Sequence, residues 1–520
     1  MADPVLQMGI VVGYLLVALA IGLVAYRLTD RTAEDYYLAG RSLGTVVLLF
    51  TMFATLLSAF TFFAGPNISY QFGPEWILVM GLMDGVIFGV LWYVLGYKQW
   101  LVGNRHGYVT VGEMLGDRFG SRYLRALIAG ISLFWLFPYV MLQQIGAGTA
   151  LEALTAGAVP FWGGAALVTV FMIVYVVLAG MRGVAWTDTL QGAFMLVMIW
   201  AAFLWVVASV DGVAAATAQM GEADPEFLAL GGGFYSPQRI LSFAISIAFG
   251  VAMFPQVNQR FFAGDSETVL KRSLVLWPVL VLLLFVPAFL LGAWAKGLGI
   301  EAAIGEGQNV LPLLLVEYTP GWFAALVIAG AIAAMMSSSD SMLLSGSSYF
   351  TRDLYGPLVD PDVSDDREDL LGRVGVVLFA TAALVASLIV GSEVSIGIVG
   401  DVLLDIGDTA FGGFAQMTLP VLIALYWSRT TRAGMYAGIL ASQVVYVAGV
   451  LLPVAEVALP VVGTVPLGVP ATYLGWGISL YCILLGVVLT VGVSLVTTAA
   501  PTARADRFTD LGGVDSRDSD

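Results

Sequence analysis

The sequence predicts an all-α polytopic membrane protein with thirteen transmembrane helices. Of its 520 residues, 59% are hydrophobic and 11% are charged, and the mean hydropathy is +0.90. A soluble domain carries roughly 25% charged residues, so this chain lacks the polar surface that would keep it in water. The composition therefore excludes a soluble enzyme, a nucleic-acid-binding protein and a disordered scaffold.

Cysteine and histidine each occur once, as Cys482 and His106. A disulfide framework and a cysteine metal cluster are therefore excluded, as is a metal site built from several histidines. A histidine-based catalytic triad is disfavoured for the same reason. We expect no enzymatic activity.

Thirteen apolar stretches are long enough to cross a bilayer core of about 30 Å, which needs roughly 20 residues per helix. They are residues 6–28, 44–66, 75–97, 124–151, 161–180, 187–210, 239–261, 271–296, 321–348, 373–395, 405–428, 433–455 and 472–497. The first is too long for the apolar part of a cleaved signal peptide, and its flank begins with Asp3 rather than with a basic residue. It is therefore predicted to be a span.

The basic residues predict the orientation of these helices, because lysine and arginine accumulate on the cytoplasmic side. With the N-terminus outside, all of the 22 basic residues except Arg239 and Lys296 fall in inner loops or in the C-terminal tail. One miscounted span would move every later loop to the other side. We therefore predict a multi-pass protein of the cell membrane with its N-terminus outside and its C-terminus inside.

Acidic residues outnumber basic ones by 37 to 22, which gives a net charge of −15. Much of this excess lies in predicted soluble segments, such as residues 360–369 and the tail after Arg504. Such an acidic surface is typical of halophilic proteins, which resist aggregation in high salt. The alternative is an ordinary acidic loop and tail.

Two spans read as broken helices. The second has small polar residues at its middle, including Thr55 and Ser58, and a Gly65-Pro66 pair at its outer end, and the seventh contains Pro255. These spans are five apart, as expected if helices 2–6 and 7–11 form two inverted halves. Transporters of that design bind ions and solute at the paired breaks. The alternative is a pair of proline kinks in ordinary bundle helices.

The ninth span carries the most polar run, with Ser337, Ser338, Asp340 and Ser341 at its middle. Ser337, Asp340 and Ser341 share one helix face. Hydroxyl and carboxylate oxygens suit a hard cation such as Na⁺. The alternative is a serine-rich helix-packing face, but such a face has no need of the carboxylate of Asp340.

Two further acidic residues lie within the predicted spans. Asp188 opens the sixth span at its inner end, where it is either a ligand or a helix N-terminal charge favoured by the helix dipole. Asp84 lies midway along the third span, where a carboxylate is by default a functional residue.

Taken together, these residues resemble the sodium/solute symporter family, most closely in its pantothenate, proline and monocarboxylate branches. The motifs that carry the resemblance are residues 36–44 (YYLAGRSLG), 54–66, 180–191, 333–344 and 420–434. The resemblance implies a LeuT-type fold with two inverted five-helix repeats. Its divisions would be residues 1–43 for an extra N-terminal helix and loop, 44–210 and 211–430 for the repeats, 431–500 for two C-terminal helices, and 501–520 for an acidic cytoplasmic tail.

The resemblance also implies a main sodium site between the first and eighth core helices. Its ligands would be the backbone carbonyls of Ala54, Leu57 and Ala334 and the hydroxyls of Ser337 and Ser338. Na⁺ is thus the implied coupling ion.

Some family members hold a second sodium with further oxygens of the eighth helix and an aspartate of the fifth. The matching positions are Ser337, Asp188, Asp340 and Ser341. Asp340 stands where those members have a small hydroxyl residue, so it would either strengthen this site or bind a proton.

The solute is expected at the broken helices. Leu56, Ala59 and Phe60 leave this wall apolar, which disfavours sugars. A small organic acid, vitamin or amino acid, such as a monocarboxylate, pantothenate or proline, fits an apolar cavity with few polar groups. The candidate solute-binding residues are Thr61, Asp84, Phe249, Pro255 and Gln256.

The implied function is sodium-coupled import of a small organic solute by alternating access. The expected partners are the solute, Na⁺ and the lipid bilayer, with no nucleic acid, and the chain is expected to work as a monomer. The alternatives are a proton-coupled symporter of the same fold and a transporter-like receptor that senses solute. An ion channel is disfavoured because the sequence has no repeated pore element.

Overall fold

The structure is a computed structural model of the chain. It describes residues 3–27, 32–231, 233–304, 307–394, 402–451, 455–459, 463–467, 472–498 and 502–509.

The described residues are mostly helical. The helices of the N-terminal half are α1 Pro4–Tyr26, α2 Ala33–Leu38, α3 Thr45–Leu56, α4 Gly65–Phe72, α5 Trp76–Met80, α6 Phe88–Leu91, α7 Tyr97–His106, α8 Val111–Phe119, α9 Arg122–Leu154, α10 Phe161–Ser209 and α11 Val213–Ala223. Those of the C-terminal half are α12 Pro237–Ala252, α13 Pro255–Ala263, α14 Glu267–Gly297, α15 Val310–Tyr318, α16 Gly321–Ser348, α17 Gly356–Leu358, α18 Asp365–Val394, α19 Val402–Tyr426, α20 Arg432–Leu451, α21 Ile478–Val496 and α22 Thr502–Thr509.

The described residues also form short π-helical segments, 3₁₀ turns and β-strands. The π-helical segments are Phe60–Ala64, Gly81–Ile87, Trp92–Gly96 and Tyr349–Tyr355, and the 3₁₀ turns are Ala39–Arg41, Pro225–Leu228 and Gly233–Tyr235. Between α20 and α21, β1 (Ala455–Leu459) pairs antiparallel with β2 (Gly463–Leu467), and β3 (Thr472–Tyr473) with β4 (Trp476–Gly477).

Eleven helices of the described residues are long and apolar enough to cross a membrane. Two bent pairs, α3 with Phe60–Phe72 and α12 with α13, bring the number of candidate spans to thirteen, the number predicted. We call these pairs the first and second broken helices. Some boundaries differ from the prediction: the third span continues to His106, and the ninth continues to Leu358.

The predicted fifth and sixth spans form one helical run, α10, which turns sharply at Gly180 (φ 57°, ψ −161°). A Cβ atom at Gly180 would lie 2.6 Å from the Tyr36 ring and 2.9 Å from the Tyr36 carbonyl oxygen. Only glycine adopts this backbone conformation without strain. Gly180 therefore allows α10 to turn against the loop that contains Tyr36.

Gly180→Ala is expected to lower the thermal midpoint of the purified protein, because the new methyl group adds a clash to about 1–3 kcal/mol of backbone strain. The control is Gly130→Ala in α9, where a Cβ atom would meet nothing within 4 Å. That change should leave the midpoint equal or raise it, since alanine favours a helix. Equal midpoints for Gly180→Ala and the wild type would contradict the argument.

The helix α16 is at the centre of the fold and packs against α1, α3, α9, α10, α13 and α18. In its most apolar stretch 83% of the residues are buried, against 22% in α18 at the periphery. Helix α12 packs tightly on α19. A Cβ atom at Gly250 of α12 would lie only 2.2 Å from the carbonyl oxygen of Phe411 in α19. This close approach brings α19 next to the second break.

Candidate functional site

The first broken helix opens at three residues. Helix α3 ends at Leu56, Leu57 is extended (φ −82°, ψ 127°), and helical backbone resumes at Phe60 after a bend of 64°. A helix end leaves its last carbonyl groups without partners in the helix. The break therefore exposes backbone oxygens at the middle of a span.

Ser338 of α16 bridges this break. Its hydroxyl donates to the carbonyl oxygens of Thr55, at 2.9 Å, and Leu57, at 2.7 Å. The neighbouring Ser337 donates to Asp188 Oδ1 at 2.6 Å. All of these side chains are buried, so α16 and the first broken helix are joined by polar contacts inside the fold.

Of the predicted main sodium ligands, the structure joins Ser338 to Leu57. The carbonyl of Thr55 is an oxygen that was not predicted, and the hydroxyl of Ser337 donates to Asp188 instead. Ala54 and Ala334 are buried on α3 and α16, which pack against each other. Carbonyl and hydroxyl oxygens are the donors that hard cations prefer, and the C-terminal end of α3 carries the negative end of its helix dipole. A Na⁺ ion here would replace the hydrogen bonds of Ser338 with coordination by the same oxygens.

The predicted second site is organised around an arginine that the sequence did not suggest. Arg260 of α13 and Asp188 form a fully buried ion pair at 2.8 Å. Arg260 Nη2 also donates to Ser341 Oγ at 2.5 Å, and Thr51 donates to Asp188 Oδ2 at 2.5 Å. A guanidinium group thus lies beside two of the oxygens predicted to hold a cation.

Arg260 reaches two more groups of the broken helices. Its Nε donates to the hydroxyl of Thr51 at 2.9 Å, and its Nη1 donates to the carbonyl of Gln256 at 3.0 Å. Arg260 therefore ties α13 to α3, α10 and α16.

One expectation for Asp188 is corrected. It does not open a helix, because α10 runs through this position from Gly180 and Asp188 is wholly buried within it. A helix N-terminal charge is therefore the wrong interpretation. Asp188 is a buried acceptor for Ser337, Thr51 and Arg260.

Asp340 does not join this network. It is fully buried, and neither carboxylate oxygen has a hydrogen-bond partner among the described residues. Tyr14 of α1 lies within electrostatic range of both Asp340 and Asp188, and its hydroxyl accepts from Gln191 at 2.8 Å. Tyr14 of α1 is therefore near both carboxylates, of which Asp188 is the one bonded to Arg260.

Four aromatic rings meet where the two broken helices approach each other. Phe254 of the second break stacks on Phe411 of α19 at 5.4 Å between ring centroids, and Tyr139 of α9 lies 5.2 Å from each of them. Phe60 of the first break is 5.2 Å from Phe411. We call Phe60, Tyr139, Phe254 and Phe411 the aromatic cluster.

Two polar contacts tie the first break to α9 beside the aromatic cluster. The hydroxyls of Ser58 and Tyr139 are 3.0 Å apart, and Gln143 Oε1 accepts from the backbone N–H of Ala59 at 2.8 Å. The sequence reasoning missed Tyr139, Gln143 and Phe411. Gln143 carried a readable signal, because an amide in the middle of a span is costly unless it has a role.

The five predicted solute residues separate into two groups. Thr61, Pro255 and Gln256 lie at the breaks and are buried, and the side-chain amide of Gln256 has no partner among the described residues. Asp84 is buried in a π-helical turn, with Oδ1 equally without a partner, and lies within electrostatic range of Tyr139. Phe249 lies more than a helical turn before the second break, outside the aromatic cluster, where its carbonyl accepts from Thr418 at 2.6 Å.

Known proteins match most of this chain. The family model described as "Sodium:solute symporter family" matches residues 36–442. The chain is 28% identical to the sodium/pantothenate symporter of Escherichia coli over 441 residues, which cover 84% of this chain and 88% of that protein. It is 29% identical to the sodium/proline symporter of Haemophilus influenzae, over 83% and 85% of the two chains.

The fold also matches solved structures. The substrate-bound outward-open state of a Na⁺-coupled sialic acid symporter superposes with a TM-score of 0.74 at 19% identity, covering 96% of this chain and 99% of that one. The predicted all-α, LeuT-type architecture is confirmed.

Proposed function

Because the chain belongs to the sodium:solute symporter family, we propose that it couples the inward movement of Na⁺ to the import of a small organic solute that bears a carboxylate. The observation that carries this proposal is the bridge from Ser338 to the carbonyls of Thr55 and Leu57. Na⁺ at this bridge would be held by both the broken helix and α16. It would then favour the conformation in which the two are joined, and solute that prefers the same conformation would bind cooperatively with it.

The driving force is electrical as well as chemical. Each positive charge that crosses the membrane gains about 2.3 kcal/mol per 100 mV of membrane potential. One Na⁺ per solute therefore supports accumulation of a neutral or zwitterionic solute, and more than one is needed for net charge entry with a monoanion.

Two helix ends and one side-chain amide support a carboxylate on the solute. The helical segments that begin at Phe60 and Pro255 both start beside Phe411, so two positive helix-dipole ends point into one region. Discontinuous helices of transporters use such ends to bind anionic groups. The buried Gln256 amide, which lacks a partner among the described residues, supplies a hydrogen-bond donor there.

The remaining groups suit the rest of such a solute. The aromatic cluster offers an apolar wall, and Asp84 offers an acceptor oxygen for a hydroxyl or amine. Pantothenate and proline, the solutes in the names of the two relatives, each combine a carboxylate with such a group. Both therefore fit the same proposal.

The test is uptake into proteoliposomes of labelled pantothenate, proline and a short monocarboxylate, with glucose for comparison. We expect uptake of one carboxylate solute under an inward Na⁺ gradient and none when K⁺ replaces Na⁺. An uncharged analogue of that solute, with an amide or alcohol in place of the carboxylate, should compete at least about tenfold more weakly. Equal uptake in Na⁺ and K⁺ would overturn sodium coupling, and equal competition would overturn the carboxylate.

A second candidate function is proton-coupled transport, which is favoured by Asp340, a buried residue without a hydrogen-bond partner in the described part of the chain. An ionised carboxylate without partners is very costly inside a membrane. Binding a proton at Asp340 removes that cost, and releasing it requires a conformation in which water reaches the side chain.

If Asp340 carries a transported proton, an inward proton gradient without Na⁺ should drive uptake in the wild type and fail to do so in Asp340→Asn. The variant should keep its Na⁺-driven uptake, since the Asp340 carboxylate makes no hydrogen bond to Ser338 among the described residues. The matched control is Ser339→Ala, because the Ser339 hydroxyl is also buried without a partner among the described residues. Proton-driven uptake that survives in Asp340→Asn would remove Asp340 from this role.

A further inference from the structure

The short helix α22, which follows the last span, is docked on the body of the protein. Phe508 is fully buried, and its ring stacks near Tyr108 at 6.2 Å with an angle of 11° between the planes. It also lies 5.8 Å from the His106 ring, and the guanidinium of Arg118 lies 5.7 Å from its centroid. Phe508 thus occupies an aromatic and cationic recess at the end of the third span.

Polar contacts surround this recess. Arg118 donates to the carbonyl oxygens of Ala505, at 3.3 Å, and Trp427, at 3.0 Å, and Lys98 donates to the carbonyl of Thr509 at 3.2 Å. Burial lowers the pKa of Arg118 to about 10, so its charge persists at neutral pH. The last carbonyl of α22, that of Thr509, therefore receives a cationic donor, which is the favourable pairing for a helix C-terminus.

The groups that hold α22 come from parts of the transporter that belong to different units. Lys98 is near the end of the third span, and Arg118 is on α8. Helix α19 also packs against α22, and Arg118 donates to the carbonyl of Trp427, which follows α19. All of them lie on the face that the basic residues predict to be cytoplasmic. Docking of α22 therefore requires these three elements to be close together on that face.

Helix α8 is fastened to the central helices by an ion-pair network. Glu113 of α8 binds Arg352 at 2.7 Å and Arg125 at 3.0 Å, and Arg125 also binds Asp353 at 2.7 Å. Burial alone would raise the pKa of Glu113, but Arg352 and Arg125 lower it below its usual value. Glu113 therefore stays ionised at neutral pH, and its ion pairs fix α8 to α9 and to the end of the ninth span. Lys98, by contrast, belongs to the span that follows the first broken helix.

We propose that α22 is an intramolecular latch that holds the cytoplasmic face closed by joining α8, the end of the third span and the end of α19. Alternating access moves the broken helices and their neighbours against the rest of the bundle. Such a movement separates Lys98 from Arg118 and leaves α22 without one side of its docking site. The latch thus rests on the proposed transport function, because only alternating access gives it two states.

Trypsin cleavage after Arg507 tests the latch, because a protease requires the helix to leave its recess. The full-length protein in lipid nanodiscs would be digested in Na⁺ and in K⁺, with the product identified by intact mass. We expect cleavage to be at least tenfold faster in Phe508→Ala than in the wild type. We also expect wild-type cleavage to be slower in Na⁺ than in K⁺, since Na⁺ at Ser338 favours the closed cytoplasmic face.

The control is Tyr123→Ala, an aromatic side chain near the start of α9 that is 61% exposed and lies beneath the guanidinium of Arg122. It should be cleaved at the wild-type rate, and all variants should show the wild-type thermal midpoint. Equal cleavage of the wild type and Phe508→Ala would overturn the docking, and equal wild-type cleavage in Na⁺ and K⁺ would overturn the link to conformation. The comparison in K⁺ needs no transport, so failure of docking is distinguishable from failure of the proposed function.

Discussion

Ser338→Ala is expected to raise the Na⁺ concentration that half-saturates solute uptake by about tenfold to a hundredfold. The variant removes the hydroxyl that joins α16 to the carbonyls of Thr55 and Leu57. A contact to a charged group contributes about 1.5–3 kcal/mol, and 1.4 kcal/mol corresponds to a tenfold change in affinity. Maximal uptake at saturating Na⁺ should fall less than the affinity, because the carbonyl ligands remain.

The matched control is Ser345→Ala on the same helix. Ser345 is equally buried, but its hydroxyl donates to the carbonyl of Met342 within α16. Uptake by this variant should keep the wild-type dependence on Na⁺. If Ser338→Ala and the wild type, incorporated equally, show the same dependence of uptake on Na⁺ concentration, Ser338 is not part of the sodium site.

Much of the fold follows from the sequence, because the bilayer imposes simple rules on composition. A span must be apolar for about 20 residues, and irregular backbone is tolerated at membrane depth only where it is buried or lines a cavity. These rules identified the thirteen candidate spans and both broken helices, at Leu57 and before Pro255. They also identified Ser338, whose hydroxyl binds the first break, and Ser337, whose hydroxyl donates to Asp188.

The partners of the site residues did not follow from the sequence, because they depend on packing between distant segments. Arg260 was counted among the inner basic residues, yet it is fully buried and bound to Asp188, 72 positions earlier. Tyr139 and Phe411 are ordinary aromatic residues in apolar helices until the two breaks are placed beside them. A single sequence shows neither the direction of a side chain nor the helix that faces it.

Arg260 also gives the site a physical link between its two halves. The second broken helix carries Arg260, and the first carries Thr51 and the carbonyls that Ser338 binds. Asp188, in turn, accepts from Ser337 next to Ser338. A chain of hydrogen bonds therefore runs from Ser337 through Asp188 to Arg260 on the second broken helix.

Removing either member of the Arg260–Asp188 pair is expected to destabilise the protein more than removing both. Arg260→Gln leaves the buried carboxylate of Asp188 without its cation, and Asp188→Asn leaves the guanidinium without its anion. Breaking a buried ion pair from one side costs about 3–5 kcal/mol, whereas replacing both partners with neutral groups is often tolerated. The thermal midpoint should therefore fall in each single variant and recover in Arg260→Gln/Asp188→Asn.

The same three variants separate the effect on stability from the effect on coupling. Uptake depends on the Arg260–Asp188 contact between α10 and α13, whereas the thermal midpoint depends on whether a buried charge is left unpaired. The double variant should fold well and still show a large loss of Na⁺-driven uptake, since neither an ionic contact nor a charge remains between α10 and α13. Lys271→Gln with Glu267→Gln is the control, because that pair is exposed on α14 and exposed ion pairs contribute little. A double variant as unstable as the single ones would show that the unpaired buried charge is not the source of the lost stability. Wild-type uptake in the double variant would show that the pair does not couple the two broken helices.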